Sequence, residues 1–411
     1  MRVLWCPCYQ LGSYFPAMPI ALELLERGHD VVVLCEPASE QAFRGLGFDF
    51  RPTTDTADYV TTTPPPTDRD SKLQWFAGNV RAYYRDVGAE LASAAYDVTL
   101  TDPLEPGADF AAESAAVPWA SYTHFAIDEV GPDVWFEFHL WDRVTPIGDA
   151  FVAWWTGLRH AVGLPPDPRP DSEHRWLRHS PMLTLMLGLP ELVHPKGTLP
   201  PYAVRVGPTD WEPPAAAAAP DWVGMVGTDR LAVLVSVSTA RQHDVDLVAA
   251  VAEALANEPV DVIATIPVAH ELPELPDNVR IVGFMSHRHL LDRVSLVACH
   301  AGKGTVTRAC CAGVPMLLFP HGRDQFNVAR GAVDAGVAVA FDAGLPSAAT
   351  VREAALTLLG DTDYRRRARE VAAAAARYDA PMTSADLIER LANGEPATAI
   401  GRTGGQEDEP T

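Results

Sequence analysis

The stretch Leu296-Val297-Ala298-Cys299-His300-Ala301-Gly302-Lys303-Gly304-Thr305 carries a short apolar run through a glycine turn into the opening of a helix. An apolar run this short, bounded by a turn, predicts a strand buried on both faces. Glycines let the backbone come close to a bound group, and a helix start presents unpaired N–H groups and a favourable dipole to an anion. Thr305 can cap that helix or donate to a phosphate oxygen, and His300 can donate a hydrogen bond. Many tight strand–helix turns look like this one, so the neighbouring segments decide what it binds.

Outward from it, Ala312-Gly313-Val314-Pro315 leads into Met316-Leu317-Leu318-Phe319 and then Pro320-His321-Gly322-Arg323-Asp324-Gln325-Phe326-Asn327. In a doubly wound sheet this adjacent strand delivers Asp324 and Gln325 beside the glycine turn. An acid next to an amide suits a polyol, whose hydroxyls need both acceptors and donors. Asp324 can equally serve as a helix N-cap. Strand and helix signals alternate on either side: strands at 231–237, 260–266 and 279–283, and helices at 245–256 and from 325. The first third repeats the pattern, with strands at 2–8, 30–36, 97–101 and 117–123 and helices at 16–27, 73–95 and 106–116. Such alternation predicts parallel βαβ units with helices on both faces. The expected fold class is therefore α/β, with two doubly wound Rossmann-like domains facing each other across a cleft. The expected boundaries are 1–205 for the first domain, a Pro- and Ala-rich linker at 206–228, a second domain with terminal helices at 229–393, and a polar, disordered tail at 394–411.

The 411 residues carry a formal net charge of -22. A surface that acidic repels polyphosphate backbones, which argues against nucleic acid as a partner, so any phosphate must be held by a local, oriented site. Lysine is scarce, with Lys72, Lys196 and Lys303 its only occurrences. The six cysteines lie in apolar or helix-like segments, as buried thiols do in a reducing compartment. No apolar run is long enough for a membrane span and no secretory leader is visible, so the expected location is cytoplasmic. Cys6 and Cys8 find no partners at zinc-site spacing. Asp68/Asp70, Asp244/Asp246 and Asp361/Asp363 read as solvated acids in loops or at helix starts, so no metal is expected.

The run from 283 to 327 resembles the donor site of family 1 glycosyltransferases of the GT-B fold, as found in bacterial antibiotic pathways. That resemblance implies that His300, Gly302, Gly304 and Thr305 hold a diphosphate and that Asp324 and Gln325 hold sugar hydroxyls. It places Phe284 and Met285 at the nucleobase, with Phe284 where the family often has Trp. Thr239, after Ser238, falls on a turn that in the family lies near the diphosphate. Lys303 departs from the small, polar or Trp residue usual there, and either meets a phosphate or points to solvent.

In the family the first strand ends in a Gly-His-x-x-Pro turn whose histidine deprotonates the acceptor. This chain has Gly12-Ser13-Tyr14-Phe15-Pro16 there. An unassisted serine hydroxyl is no general base near neutral pH. Three explanations stay open. Another residue serves: Asp102, which matches the acid that orients the family's histidine, or His124 or Asp128. Alternatively the acceptor needs little help, or the chain binds donor without catalysing transfer. Asp102 before a proline also reads as a turn former, and His124 as a wall residue. Trp135, Phe136, Phe138, Trp141, Trp154 and Trp155 fall where the family lines its acceptor pocket, or else belong to ordinary core.

The resulting expectation is an inverting, metal-independent hexosyltransferase. It would move a sugar from a UDP- or dTDP-linked donor to a small lipophilic or aromatic natural product, with no cofactor beyond that co-substrate. The alternatives are a non-catalytic nucleotide-sugar-binding partner of another transferase, or a nucleotide-sugar epimerase of the same fold. A monomer or a homodimer is compatible with the sequence.

Overall fold

The computed structural model describes residues 1–8, 11–65, 69–102, 104–123, 135–136, 145–146, 149–168, 180–192, 199–213, 219–238, 246–266, 273–322, 324–341 and 344–395. The chain divides into two units, one formed by 1–188, 195–209 and 379–411 and the other by 189–194 and 210–378.

The first unit runs β1 (Arg2–Cys6), α1 (Leu11–Tyr14), α2 (Met18–Glu26), β2 (Asp30–Cys35), α3 (Glu40–Gly45), β3 (Asp49–Pro52), α4 (Asp55–Thr62), α5 (Arg69–Ser93), β4 (Val98–Thr101), α6 (Pro106–Ala115) and β5 (Trp119–Thr123). A two-residue pair follows, β6 (Trp135–Phe136) with β7 (Thr145–Pro146), then α7 (Asp149–Ala161), β8 (Leu183–Met186) and β9 (Ala203–Arg205). Its sheet has the order β3-β2-β1-β4-β5-β8-β9, with every pairing parallel. The second unit runs β10 (Leu231–Ser236), α8 (Asp246–Leu255), β11 (Val260–Thr265), β12 (Val279–Val282), α9 (Arg288–Leu291), β13 (Leu296–Cys299), α10 (Lys303–Cys311), β14 (Met316–Leu318), α11 (Gln325–Asp334), β15 (Ala338–Ala340), α12 (Ala348–Gly360) and α13 (Thr362–Ala375). Its sheet, again parallel throughout, has the order β12-β11-β10-β13-β14-β15. The expected strands fall within a residue or two of these bounds.

Parallel strands covered on both faces must be apolar throughout, and β1, β2, β4, β5, β10 and β13 are buried over nearly their whole length. Leu4, Val32 and Leu34 pack against Tyr83 and Val87 of α5 and Ala108 and Ala111 of α6. In the second unit Val233, Val235, Val262 and Leu296 pack against Leu247 and Val251 of α8 and Val351 and Leu358 of α12. Chain order reverses at β1/β4 in one sheet and at β10/β13 in the other. At such switch points the strand ends splay and leave a crevice for a ligand.

Two expected boundaries shift. The last helix, α14 (Ala380–Ala392), lies with the first unit rather than with 229–393. Arg27 donates to Glu23, Asp386 and Glu389, and the His29 ring meets Glu389 at 2.8 Å, joining α14 to the end of α2. The stretch 206–228 is also more than a linker, since from Asp210 onward it is bonded into the second unit. None of the six cysteines is in a disulfide, and Cys311, expected among the buried ones, is exposed.

Candidate active site

Donor-side residues occupy the carboxyl ends of β12, β13 and β14. His300 follows β13, and Ala301 then takes φ +62°, a left-handed conformation that costs a buried alanine on the order of 1 kcal/mol or more. This reversal starts α10 at Gly302. A Cβ on Gly302 would sit 2.5 Å from His300 Nε2, so any larger residue there would displace the ring folded over it. No side chain caps α10, and its first ladder bond runs from Val306 N–H to Gly302 C=O at 3.0 Å. The amides of Lys303, Gly304 and Thr305 therefore precede the ladder, an arrangement suited to an anion. Gly304 is exposed, with open space where a Cβ would stand. Thr305 lies inside the helix and is not its cap, which removes one of the two roles expected for its hydroxyl.

Asp324 and Gln325 stand at the end of the adjacent strand β14, as expected. Asp324 occupies the N-cap position of α11, but its carboxylate makes no capping bond. Gln325 is buried, and its Oε1 accepts from the backbone N–H groups of His321 at 2.8 Å and Gly322 at 3.1 Å. Half of that amide is thus committed to shaping the loop after β14, a use that sequence reasoning missed. Phe284 and Met285 follow the edge strand β12 at the same end of the sheet, and Phe284 is half exposed. Next to them Ser286 Oγ and His287 N–H donate to Glu212, while Arg308 of α10 donates to Asp210 at 2.6 Å and lies 3.4 Å from Glu212. Burial, together with the Arg308 charge, pushes the His287 imidazole down to about 4, so it is neutral when it meets Thr265 Oγ1 at 3.0 Å. This clasp brings α9, α10 and residues 210–212 together. Its members come from three separate segments, which is why sequence reading passed over it. Thr239 lies outside the described residues.

On the first unit, Ser13 is buried within α1. Asp102 follows β4 and is fully buried; its Oδ1 accepts from Leu104 N–H at 2.9 Å and its Oδ2 from the Tyr122 hydroxyl at 2.5 Å. The turn-forming role is therefore realised, and the second oxygen is held by a phenol from β5. Three residues on, Glu105 is a buried carboxyl that the sequence reading did not single out. It occupies the N-cap position of α6 without capping it, and accepts instead from Asn79 Nδ2 of α5 at 3.4 Å. Gly107 allows this approach: a Cβ there would lie 2.4 Å from the Val80 carbonyl of α5. Burial, then the adjacent Asp102 charge, raises the Glu105 carboxyl to about 8.

The aromatic segment divides. Trp155 is core, edge-on to Phe110 at 5.1 Å, and Trp154 lies against Phe76 at 5.6 Å, so for these two the ordinary-core reading holds. The backbone of Trp135 lies in β6. Phe138, Trp141 and His124 lie outside the described residues. The Asp361 carboxylate caps α13 by accepting from Asp363 N–H at 2.7 Å, as a solvated helix-start acid does. Among the described residues no helix is long and apolar enough to cross a membrane.

Residues 249–391 match the family of the C-terminal domain of erythromycin biosynthesis protein CIII-like proteins. Along its length the chain is similar to the 4'-demethylrebeccamycin synthase of Lentzea aerocolonigenes, with 26% identity over 92% of this chain and 97% of that one. It is also similar to the oleandomycin glycosyltransferase of Streptomyces antibioticus, with 26% identity over 92% and 88%. Among solved structures, the Streptomyces sp. SF2575 glycosyltransferase SsfS6, complexed with thymidine diphosphate, superposes with a TM-score of 0.65 at 20% identity, covering 95% of this chain and 99% of that one.

Proposed function

For a chain that is a glycosyltransferase of the GT-B fold, similar to those of antibiotic pathways, we propose transfer of a sugar from a nucleoside diphosphate donor to a small lipophilic or aromatic acceptor, with inversion at the anomeric carbon. The observation that carries this reading is the uncapped start of α10, turned by Ala301 and Gly302, beside Asp324 at the end of the adjacent strand. Backbone amides there suit the diphosphate and would stabilise its charge as it leaves. Asp324 and Gln325 suit the sugar hydroxyls, and the half-exposed Phe284 suits stacking on the base. The nucleotide bound by SsfS6 makes dTDP-linked sugars the first donors to try. The reading needs no cofactor beyond this co-substrate.

Because Ser13 stands where the family's histidine would be, a second reading is a nucleotide-sugar-binding partner without turnover. Incubation with UDP- and dTDP-sugars and a panel of phenolic and polyketide aglycones, followed by mass spectrometry and NMR of the product, decides between them. An inverted glycoside supports transfer, whereas donor binding with no product across the panel overturns it in favour of the second reading.

A further inference from the structure

Three strands of the first unit are followed by acid or thiol groups at one place, the carboxyl edge of the sheet around its switch point. Asp102 follows β4, and the turn after it carries Glu105; Cys8 follows β1, and Glu36 follows β2. Cys8 and Asn79 both hydrogen-bond the Glu105 carboxyl. Asp102 and Glu36 are the charges that bear on it, and both push it toward the neutral form. Behind it lie the thiols of Cys6 and Cys35 and the Tyr83 hydroxyl, which donates to the Pro7 and Leu34 carbonyls. Burial keeps all three of these groups protonated. Among the described residues no three such side chains are grouped to hold a metal ion.

Two features mark Glu105 as more than a helix cap. Glutamate is a poor N-cap, and here it leaves α6 uncapped to reach Asn79. Asn79 is itself more than nine-tenths buried, and its Oδ1 has no hydrogen-bond partner. A buried amide oxygen left unsatisfied costs about 1–3 kcal/mol. An O–H or N–H on a bound molecule would satisfy Asn79 Oδ1 and would bond to Glu105 once that carboxyl is ionised.

Building on the transferase reading, we propose that the acceptor's nucleophilic O–H or N–H is bound by Asn79 and Glu105, and that Glu105 takes its proton. As the X–H bond breaks, the proton passes to a Glu105 oxygen and the freed electron pair forms the bond to the anomeric carbon. The bond from that carbon to the diphosphate oxygen breaks, and the nucleoside diphosphate departs with its electrons. Burial and the Asp102 charge make Glu105 a far stronger base than an ordinary carboxylate, which is what replaces the missing imidazole.

The test compares the unaltered enzyme with Glu105→Gln on two acceptors, a phenol neutral at the assay pH and a nitrophenol or thiophenol already ionised there. We expect kcat/KM to fall about 100-fold or more with the neutral phenol, and to change little with the ionised one. The ratio between acceptors is independent of how much of the variant folds. In the unaltered enzyme the rate with the neutral phenol should rise with pH as Glu105 ionises, and that rise should vanish in Glu105→Gln. Equal losses on both acceptors, or none, would overturn the assignment of Glu105 alone. Absence of turnover by the unaltered enzyme, with dTDP binding intact, would overturn the transferase reading and this proposal with it.

Discussion

The two sheets have closely similar topology, yet they present different chemistry at corresponding edges. At the β10/β13 side of the second unit the groups we propose for the donor are main-chain amides at the start of α10, shaped by Gly302 and Ala301. At the β1/β4 side of the first unit the groups we propose for the acceptor are buried side chains, Asp102, Glu105 and Asn79. The contrast suits the two tasks proposed for them. An anion is best held by fixed dipoles that do not titrate, which also keeps its binding independent of pH. Moving a proton needs a group that does titrate, placed where burial and a like charge bring its affinity near working pH.

Removing the like charge strains the comparison on the side of the first unit. Asp102→Asn should lower kcat by about 10-fold at a pH where Glu105 is ionised in both proteins, because Glu105 becomes a weaker base and Tyr122 loses an ionised partner. The rise of rate with pH should move to lower pH, while dTDP affinity measured by calorimetry stays as it was. An unchanged kcat would show that the first unit's acids do no chemistry. Gly302→Ala probes the other side: its Cβ would collide with the His300 ring and disturb the first amides of α10. The expected effect is a loss of dTDP affinity of roughly 10- to 100-fold with little change in its pH dependence, on the scale of removing one oriented donor. Full affinity in that variant would mean the diphosphate sits elsewhere.

The smallest effect concerns stability. The Glu105 carboxyl is raised to about 8 in the folded chain, above its unfolded value. Between those two values the folded state holds the extra proton, so the contribution is present at low pH and fades as pH climbs toward 8. Unfolding in urea at pH 6 and pH 8.5 should show the protein weaker at the higher pH by a few kcal/mol at most. Glu105→Gln should flatten that slope.

The structure around the proposed donor site was legible in the sequence because its parts are local. A strand, a glycine turn and a helix start within ten residues leave few ways to fold, and the next strand necessarily delivers Asp324 and Gln325 alongside. The acceptor side was not legible to the same degree. Asp102 could be found from its strand end, but Glu105, Asn79, Cys8 and Glu36 come from four places along the chain, and nothing local marks them as neighbours. The short strands β3, β8, β9 and β15 were missed for a related reason, since three or four residues of tertiary-determined strand carry too little pattern to read. The partner of α14 was also hidden, because amphipathic spacing shows that a helix covers something without saying which sheet.

That last helix constrains how the protein can be taken apart. The chain leaves the first unit at Leu189, returns at Pro195, leaves again at Asp210 and comes back at Asp379. A fragment ending near residue 209 would carry the acid cluster but lose the segment that buries Ala385, Leu387, Ile388 and Leu391. Hybrid enzymes made by trading donor halves between related transferases must therefore keep 379–392 with the N-terminal parent, so that the seam is cut in two places rather than one.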